Sequence, residues 1–242
     1  MHTDLPPISE IWVYLSGSPL LALVLTLSSY LLGLTLYERS ERNPLANPVL
    51  IAVILVTFTI NMLDMPYVKY FEGAQFVHFL LGTATVSLAI PIYKGFASLK
   101  GRMGILIISL LAGGVTSVLT AISMARWLGV DEALVRGLVA KSVTAPIAMG
   151  IAERVQASPT LTAIFAVSTG ILGAVLGRYV LDILRIAAWW QRGFALGVAA
   201  HGIGTSRAFS VHPEAGAYAS LGMGLHGILG AVLIPFTVDW WF

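Results

Sequence analysis

Apolar residues run along the chain in long blocks separated by short polar stretches. The blocks are Pro19–Tyr37, Val49–Leu63, Phe76–Tyr93, Met103–Leu128, Leu134–Ala152, Thr160–Leu181, Phe194–Phe209 and Ala215–Val238. Crossing about 30 Å of hydrocarbon by helix takes roughly 17–25 apolar residues, the length most of these blocks have. None alternates polar and apolar residues as a membrane barrel strand does. The pattern predicts an all-α fold: a polytopic helical membrane protein with about seven to eight membrane segments.

The blocks are not equivalent. The first, fourth, sixth and eighth read as ordinary spans, and the second is short for a bilayer. The third, fifth and seventh each carry a polar centre interrupted by glycine or proline. Backbone that breaks a helix at membrane depth survives only where protein or a watery cavity satisfies its freed groups. Interruptions of this kind mark the binding sites of secondary transporters. They predict a single membrane domain over 1–242, with residues 19–75 as scaffold and 76–242 as the core holding the broken, transporter-like segments.

Two further patterns sharpen this. GILGAVL occurs at Gly170–Leu176 and again at Gly227–Leu233, each time in the span after an interrupted segment. This suggests an internal duplication displaced by 57 residues. Arginines and lysines cluster after the first block (Arg39, Arg42), the third (Lys94, Lys100, Arg102) and the sixth (Arg185, Arg192). The positive-inside rule puts all three loops in the cytoplasm. Three segments separate the last two loops, so one must enter and leave on the same side. Leu134–Ala152, with Pro146 among small residues, is the element expected to be re-entrant or broken.

Composition fits the same class. The chain is 57% hydrophobic and 11% charged, with a mean hydropathy of +0.85, whereas soluble domains carry about 25% charged residues. A net charge of +2 reports loop arginines and lysines and gives no reason to expect nucleic acid as a partner. Cysteine is absent, which excludes disulfides and thiolate metal sites. The first nineteen residues carry acids where a signal peptide has a basic region, so a cleaved signal is not expected. Neither metal-ligand spacing nor a phosphate loop nor a nucleophile elbow is present, so no cofactor and no enzymatic activity are expected.

The candidate chemistry lies in the interrupted blocks. Lys141 at membrane depth costs at least ~2.5–3.5 kcal/mol to insert, so it either snorkels to the interface or faces a cavity, where it attracts an anion or titrates. Ser142 and Thr144 adjoin it. His201 and Thr205 lie four apart, followed by Ser206 and Arg207. The histidine is a tether between helices, a proton carrier or a substrate ligand, and Arg207 either binds a carboxylate or marks the interface. Thr83, Thr85 and Ser87 precede Pro91. Their hydroxyls either bond back to their own helix or flank an exposed half-helix N-terminus. Asp182 with Arg178 and Arg185 reads as a surface ion cluster, and Trp189-Trp190 and Trp240-Trp241 as interface belts.

LLGTATVSLAIPIYKG, KSVTAPIA, LTAIFAVSTGILGAVLG and AAHGIGTSRA together resemble the LrgB/CidB family, over roughly Phe76 to the C-terminus. The resemblance implies a multi-pass protein of the bacterial inner membrane, encoded with a small LrgA/CidA-like partner and forming a homo-oligomer, such as a dimer. It implies one of two functions. One is transport of small monocarboxylates (pyruvate, glycolate or glycerate), as for the related plastid glycolate/glycerate transporter. The other is antiholin- or holin-like control of murein hydrolase activity and lysis. Carried over by motif, Thr83–Pro91, Lys141–Pro146 and His201–Arg207 would line a substrate path. The family more often has an acid after GT-x-A, where this chain has Arg207 and Ser210 in GTSRAFS, so an acidic role there is in doubt.

Overall fold

The computed structural model describes residues 19–87, 90, 93, 101–240 and 242. The chain divides into two compact units, Met1–Ser87 and Leu88–Phe242. Nine α-helices lie among the described residues, and they follow the apolar blocks except the third, which starts at Tyr67, well ahead of the block expected from Phe76. In the first unit they are α1 (Pro19–Arg39), α2 (Pro48–Met62) and α3 (Tyr67–Ser87). In the second they are α4 (Met103–Trp127), α5 (Glu132–Leu138), α6 (Ala145–Arg154), α7 (Pro159–Ile183), α8 (Trp189–Val211) and α9 (Pro213–Thr237). Four helices are long and apolar enough to cross a bilayer: Leu20–Arg39, Met103–Trp127, Pro159–Ile183 and Pro213–Phe236. They are the four blocks that read as uninterrupted.

In the first unit, the Asn47 side chain caps α2 by accepting from the amides of Val49 and Leu50. α2 is 15 residues long, about 22 Å at 1.5 Å per residue, short of the hydrocarbon thickness. A hydrogen bond of 2.7 Å between the Thr26 and Tyr70 hydroxyls ties α1 to α3. Val53, Ile54, Phe58 and Met62 of α2 are exposed, as a lipid-facing helix requires.

The second unit is organised by its ends. Arg102, at the start of α4, donates to the Tyr218 hydroxyl at 3.1 Å, and its guanidinium lies 4.9 Å from the Trp190 ring centre. The start of α4 thus lies with the starts of α8 and α9. At the far end of α4, Arg126 stacks on Phe242 at 5.0 Å, so α4 and α9 run the same way. Arg136 of α5 lies over the same ring, 4.7 Å from its centre. α7 runs back in the opposite direction, because Arg192 at the start of α8 bonds Asp182 near its C-terminus.

This leaves the segment between α4 and α7 entering and leaving at one end. α5 and α6 are separated by Val139–Thr144, and Ser142 in that break meets His226, midway along α9. Leu134–Ala152 is therefore a re-entrant hairpin that turns back at half depth. Loops three and six consequently share an end, resolving the parity conflict in the positive charges. Packing at this end joins Val135, Val139 and Ala148 of the hairpin to Ile122 of α4, Ala166 of α7 and Ile234 of α9.

α8 is also a hairpin, which periodicity does not reveal. At His201 the backbone adopts φ 40°, ψ −129°, a conformation that reverses the chain inside an otherwise helical run. Its two arms, Trp189–Ala200 and Gly202–Val211, lie side by side. The Trp189 and His212 rings stack at 4.9 Å, and a Cβ on Gly204 would sit 2.6 Å from the Ala200 Cβ. Gly193 and Gly197 of the first arm press against the backbone of Ala215 and Ala219 in α9, an approach open only to residues without a Cβ. The first arm therefore runs parallel to α9. At twelve residues it reaches about 18 Å, roughly half the bilayer.

The two hairpins enter from opposite ends, and each is followed by a long span. Residues 132–154 and 189–211 are related by a shift of 57, the displacement of the two GILGAVL copies. The second unit thus contains a hairpin-plus-span motif twice, in inverted orientation, which is the architecture of many secondary transporters.

Candidate functional site

Both hairpin tips arrive at the middle of the second unit, and polar side chains collect there. The Lys141 ammonium, half-buried at the first tip, donates to the Ser117 hydroxyl at 2.7 Å and to the Ser117 carbonyl at 3.2 Å. Ser117 is the fifteenth residue of α4's 25, so the lysine is held at mid-membrane depth and not drawn to an interface. Among the described residues no carboxylate lies within ion-pair distance of it. Next to it, the buried Ser142 hydroxyl pairs with His226 Nε2 at 2.9 Å.

Thr144 is the residue before α6, and its hydroxyl oxygen is buried with no hydrogen-bond partner. Pro146 follows at the start of the helix, where its missing N–H costs nothing. The tip therefore offers an ammonium, an unpaired hydroxyl and the positive end of a short helix, all favourable to an anion.

His201 forms the second tip. Its Nε2 bonds the Ala166 carbonyl of α7 at 2.8 Å, and the ring fills the space that a side chain on Gly170 would need. Thr205 donates back to the His201 carbonyl at 2.7 Å. Both ring and hydroxyl act as ties at the tip, the helix-tethering alternative for this histidine. α9 meets both tips: its His226 bonds Ser142, and three residues earlier the sulfur of its Met223 lies 3.8 Å from the Thr205 hydroxyl.

Of the expected site residues, the structure thus brings Lys141, Ser142, Thr144 and His201 together, with Thr205 supporting the second tip. Ser206 points outward from α8 and is exposed. Arg207 is buried in a separate place, a cavity of about 340 Å³ between α7 and α8. Thr83 and Ser87 belong to the first unit. They are exposed, and their hydroxyls bond the carbonyls of Leu80 and Thr83 in their own helix. Among the described residues α3 ends at Ser87, and the half-helix end expected beside Pro91 lies outside them. The Thr85 side chain and Pro91 lie outside the described residues, as do Lys94, Lys100 and Trp241. Asp182 pairs with Arg178 at 3.7 Å as its spacing suggests, but its second partner is Arg192 at 2.7 Å.

Two members of the cluster escaped notice in the sequence, His226 and Ser117. His226 immediately precedes the second GILGAVL copy, and a histidine midway along a 25-residue apolar helix was itself a signal. Ser117 offered none. Among the described residues no three His, Asp or Glu side chains converge as a metal site would need.

Comparison with known proteins gives this geometry a family. The model of the LrgB-like family matches residues 26–240. The uncharacterized protein YwbG of Bacillus subtilis is 33% identical over 91% of this chain and 97% of its own length. Holin-like protein CidB of Staphylococcus aureus is 28% identical over 90% of this chain and 95% of its own, and YxaC of Bacillus subtilis is 32% identical over 92% and 96%. No solved structure matches the chain. With the family model covering most of its length, this polytopic helical membrane protein belongs to the LrgB-like family.

Proposed function

We propose that the chain is a secondary carrier of small organic anions in the bacterial inner membrane, of the monocarboxylate class that includes pyruvate, glycolate and glycerate. The observation that carries this reading is Lys141: an ammonium at mid-depth, fixed by Ser117 and lacking a carboxylate among the described residues. A charge placed there is expensive, and such residues mark ion and substrate pathways. A bound carboxylate would neutralise it, and in this reading the unpartnered Thr144 hydroxyl and the N-terminus of α6 receive its oxygens. Inverted hairpins meeting at that point supply the two halves that alternating access needs. Catalysis plays no part in this reading.

A second reading has a different support. The name of the CidB relatives, holin-like protein, favours a role in membrane permeability and lysis for this chain too. In that case an LrgA/CidA-like membrane partner and a homodimer would set the activity, and the polar tips would serve packing. One experiment separates the two. Proteoliposomes holding the purified chain are given labelled pyruvate, glycolate or glycerate on one side, with a trapped dye reporting leakage. The carrier reading expects saturable uptake without dye release, abolished by Lys141→Met. Dye release without saturable uptake would support the holin-like reading and end the first.

A further inference from the structure

We propose that the cavity between α7 and α8 is a second anion site, built for a small organic dianion or phosphate group. It lies in the mouth of the α8 hairpin, between both arms and α7, and neither Lys141, Ser142, His201 nor His226 lines it. Its charged lining is Arg178, Arg192, Arg207 and Asp182. Three guanidiniums and one carboxylate thus line about 340 Å³, a volume in the range of small-molecule sites.

The arginines are fixed, not adrift. Arg192 donates to Asp182 at 2.7 Å and to the Ile186 carbonyl at 2.9 Å. Arg178 reaches the same carboxylate at 3.7 Å. Arg207 enters from the other arm and is only 8% exposed. Asp182 thus orients two guanidiniums while the third approaches from the opposite wall. Guanidinium forks match carboxylate and phosphate oxygens. The remaining wall is alanine, leucine and valine with Trp189, which suits the carbon part of an organic anion. An occupant would touch both arms of α8 and the span beside it, and so fix the hairpin against α7.

The site is independent of the carrier reading and is tested separately. The purified full chain in neutral detergent is titrated with labelled succinate, inorganic phosphate and a short-chain phosphatidylglycerol. At least one probe is expected to bind saturably, about tenfold more weakly in Arg207→Gln and Arg178→Gln and unchanged in Arg154→Gln, an exposed arginine of α6 outside the cavity. Binding of succinate or phosphate identifies a soluble anion as the source, and binding of phosphatidylglycerol alone identifies a lipid headgroup. Either result, with arginine dependence, upholds the site. The Arg178 side chain is 60% exposed, so Arg178→Gln folds and decides the matter should Arg207→Gln fail to. Absence of saturable binding by all three probes overturns the proposal. So does binding that survives Arg178→Gln, or that is lost equally in Arg154→Gln.

Discussion

A Cβ added to Gly173 would lie 2.5 Å from the Cβ of Ala200, so α7 and the tip of the α8 hairpin meet with no room between them. Exchanging the two repeats by their shift of 57 turns this pair into Gly230 and Val143. There a Cβ on Gly230 would lie 2.9 Å from Val143 Cγ1. Each repeated GILGAVL motif thus seats the hairpin of the other repeat. The motif recurs because the same contact is made twice, about an approximate two-fold axis that inverts the membrane direction.

Filling either contact should unseat a hairpin. Gly173→Leu and Gly230→Leu are expected to cost about 1–3 kcal/mol each through overpacking. Gly150→Ala, where an added Cβ meets nothing within 4 Å, is expected to gain up to about 1 kcal/mol from helix propensity. Thermal unfolding followed by circular dichroism in detergent measures all three. If Gly173→Leu and Gly230→Leu are as stable as the parent, the glycines are not what seats the hairpins.

Two re-entrant hairpins make a prediction about sidedness that eight crossings do not. The chain has no cysteine, so single-cysteine variants report position directly. Asp131→Cys and Ala157→Cys, flanking the first hairpin, should label from one face of the membrane. Arg185→Cys and His212→Cys, flanking the second, should label from the other, which the loop arginines predict to be cytoplasmic. Impermeant maleimide on intact and opened cells distinguishes the faces. Asp131 and Ala157 labelling from opposite faces would make Leu134–Ala152 a crossing helix.

The four spans, and the broken, re-entrant character of Leu134–Ala152 around Pro146, were legible because each rests on a local or additive property. Those properties are run length, a proline among small residues, and a parity of loop charges. The α8 reversal was not legible beyond its polar centre. His201 adopts a positive φ that glycine would normally supply, while the neighbouring Gly202 and Gly204 blur where the turn falls. Ser117 was hidden for another reason. A serine in an apolar helix usually bonds its own backbone, and only tertiary packing brings Lys141 to it. Arg207 was legible as a candidate anion ligand, but its companions, Arg178 of α7 and Arg192 of the other α8 arm, have the sequence pattern of surface and loop charge.

His226 and Ser142 should be coupled energetically. Removing the ring by His226→Ala leaves a buried hydroxyl without its partner and opens space beside Gly114, whose missing Cβ would approach the ring at 3.2 Å. A loss of about 1–3 kcal/mol is expected from the unpaired group alone. Ser142→Ala in the same chain should recover part of that loss, since the orphaned hydroxyl is then gone. A double-mutant cycle by denaturant unfolding measures the coupling. Strict additivity would mean the 2.9 Å contact contributes nothing to stability.

Lys141 should show function and stability pulling apart. The side chain lies half-buried and bonds only Ser117 among the described residues, so its charge is desolvated without an ionic partner. Lys141→Met keeps the stem's volume and removes the charge. It leaves the Ser117 hydroxyl able to bond its own helix, as Thr120 does with Thr116. Relief of an unpaired buried charge is favourable by at least ~2.5 kcal/mol on insertion scales. The variant is therefore expected to match or exceed the parent in thermal stability while losing carboxylate uptake. A variant less stable than the parent by several degrees would mean the ammonium serves the fold, and the case for an anion at the tips would lose its main support.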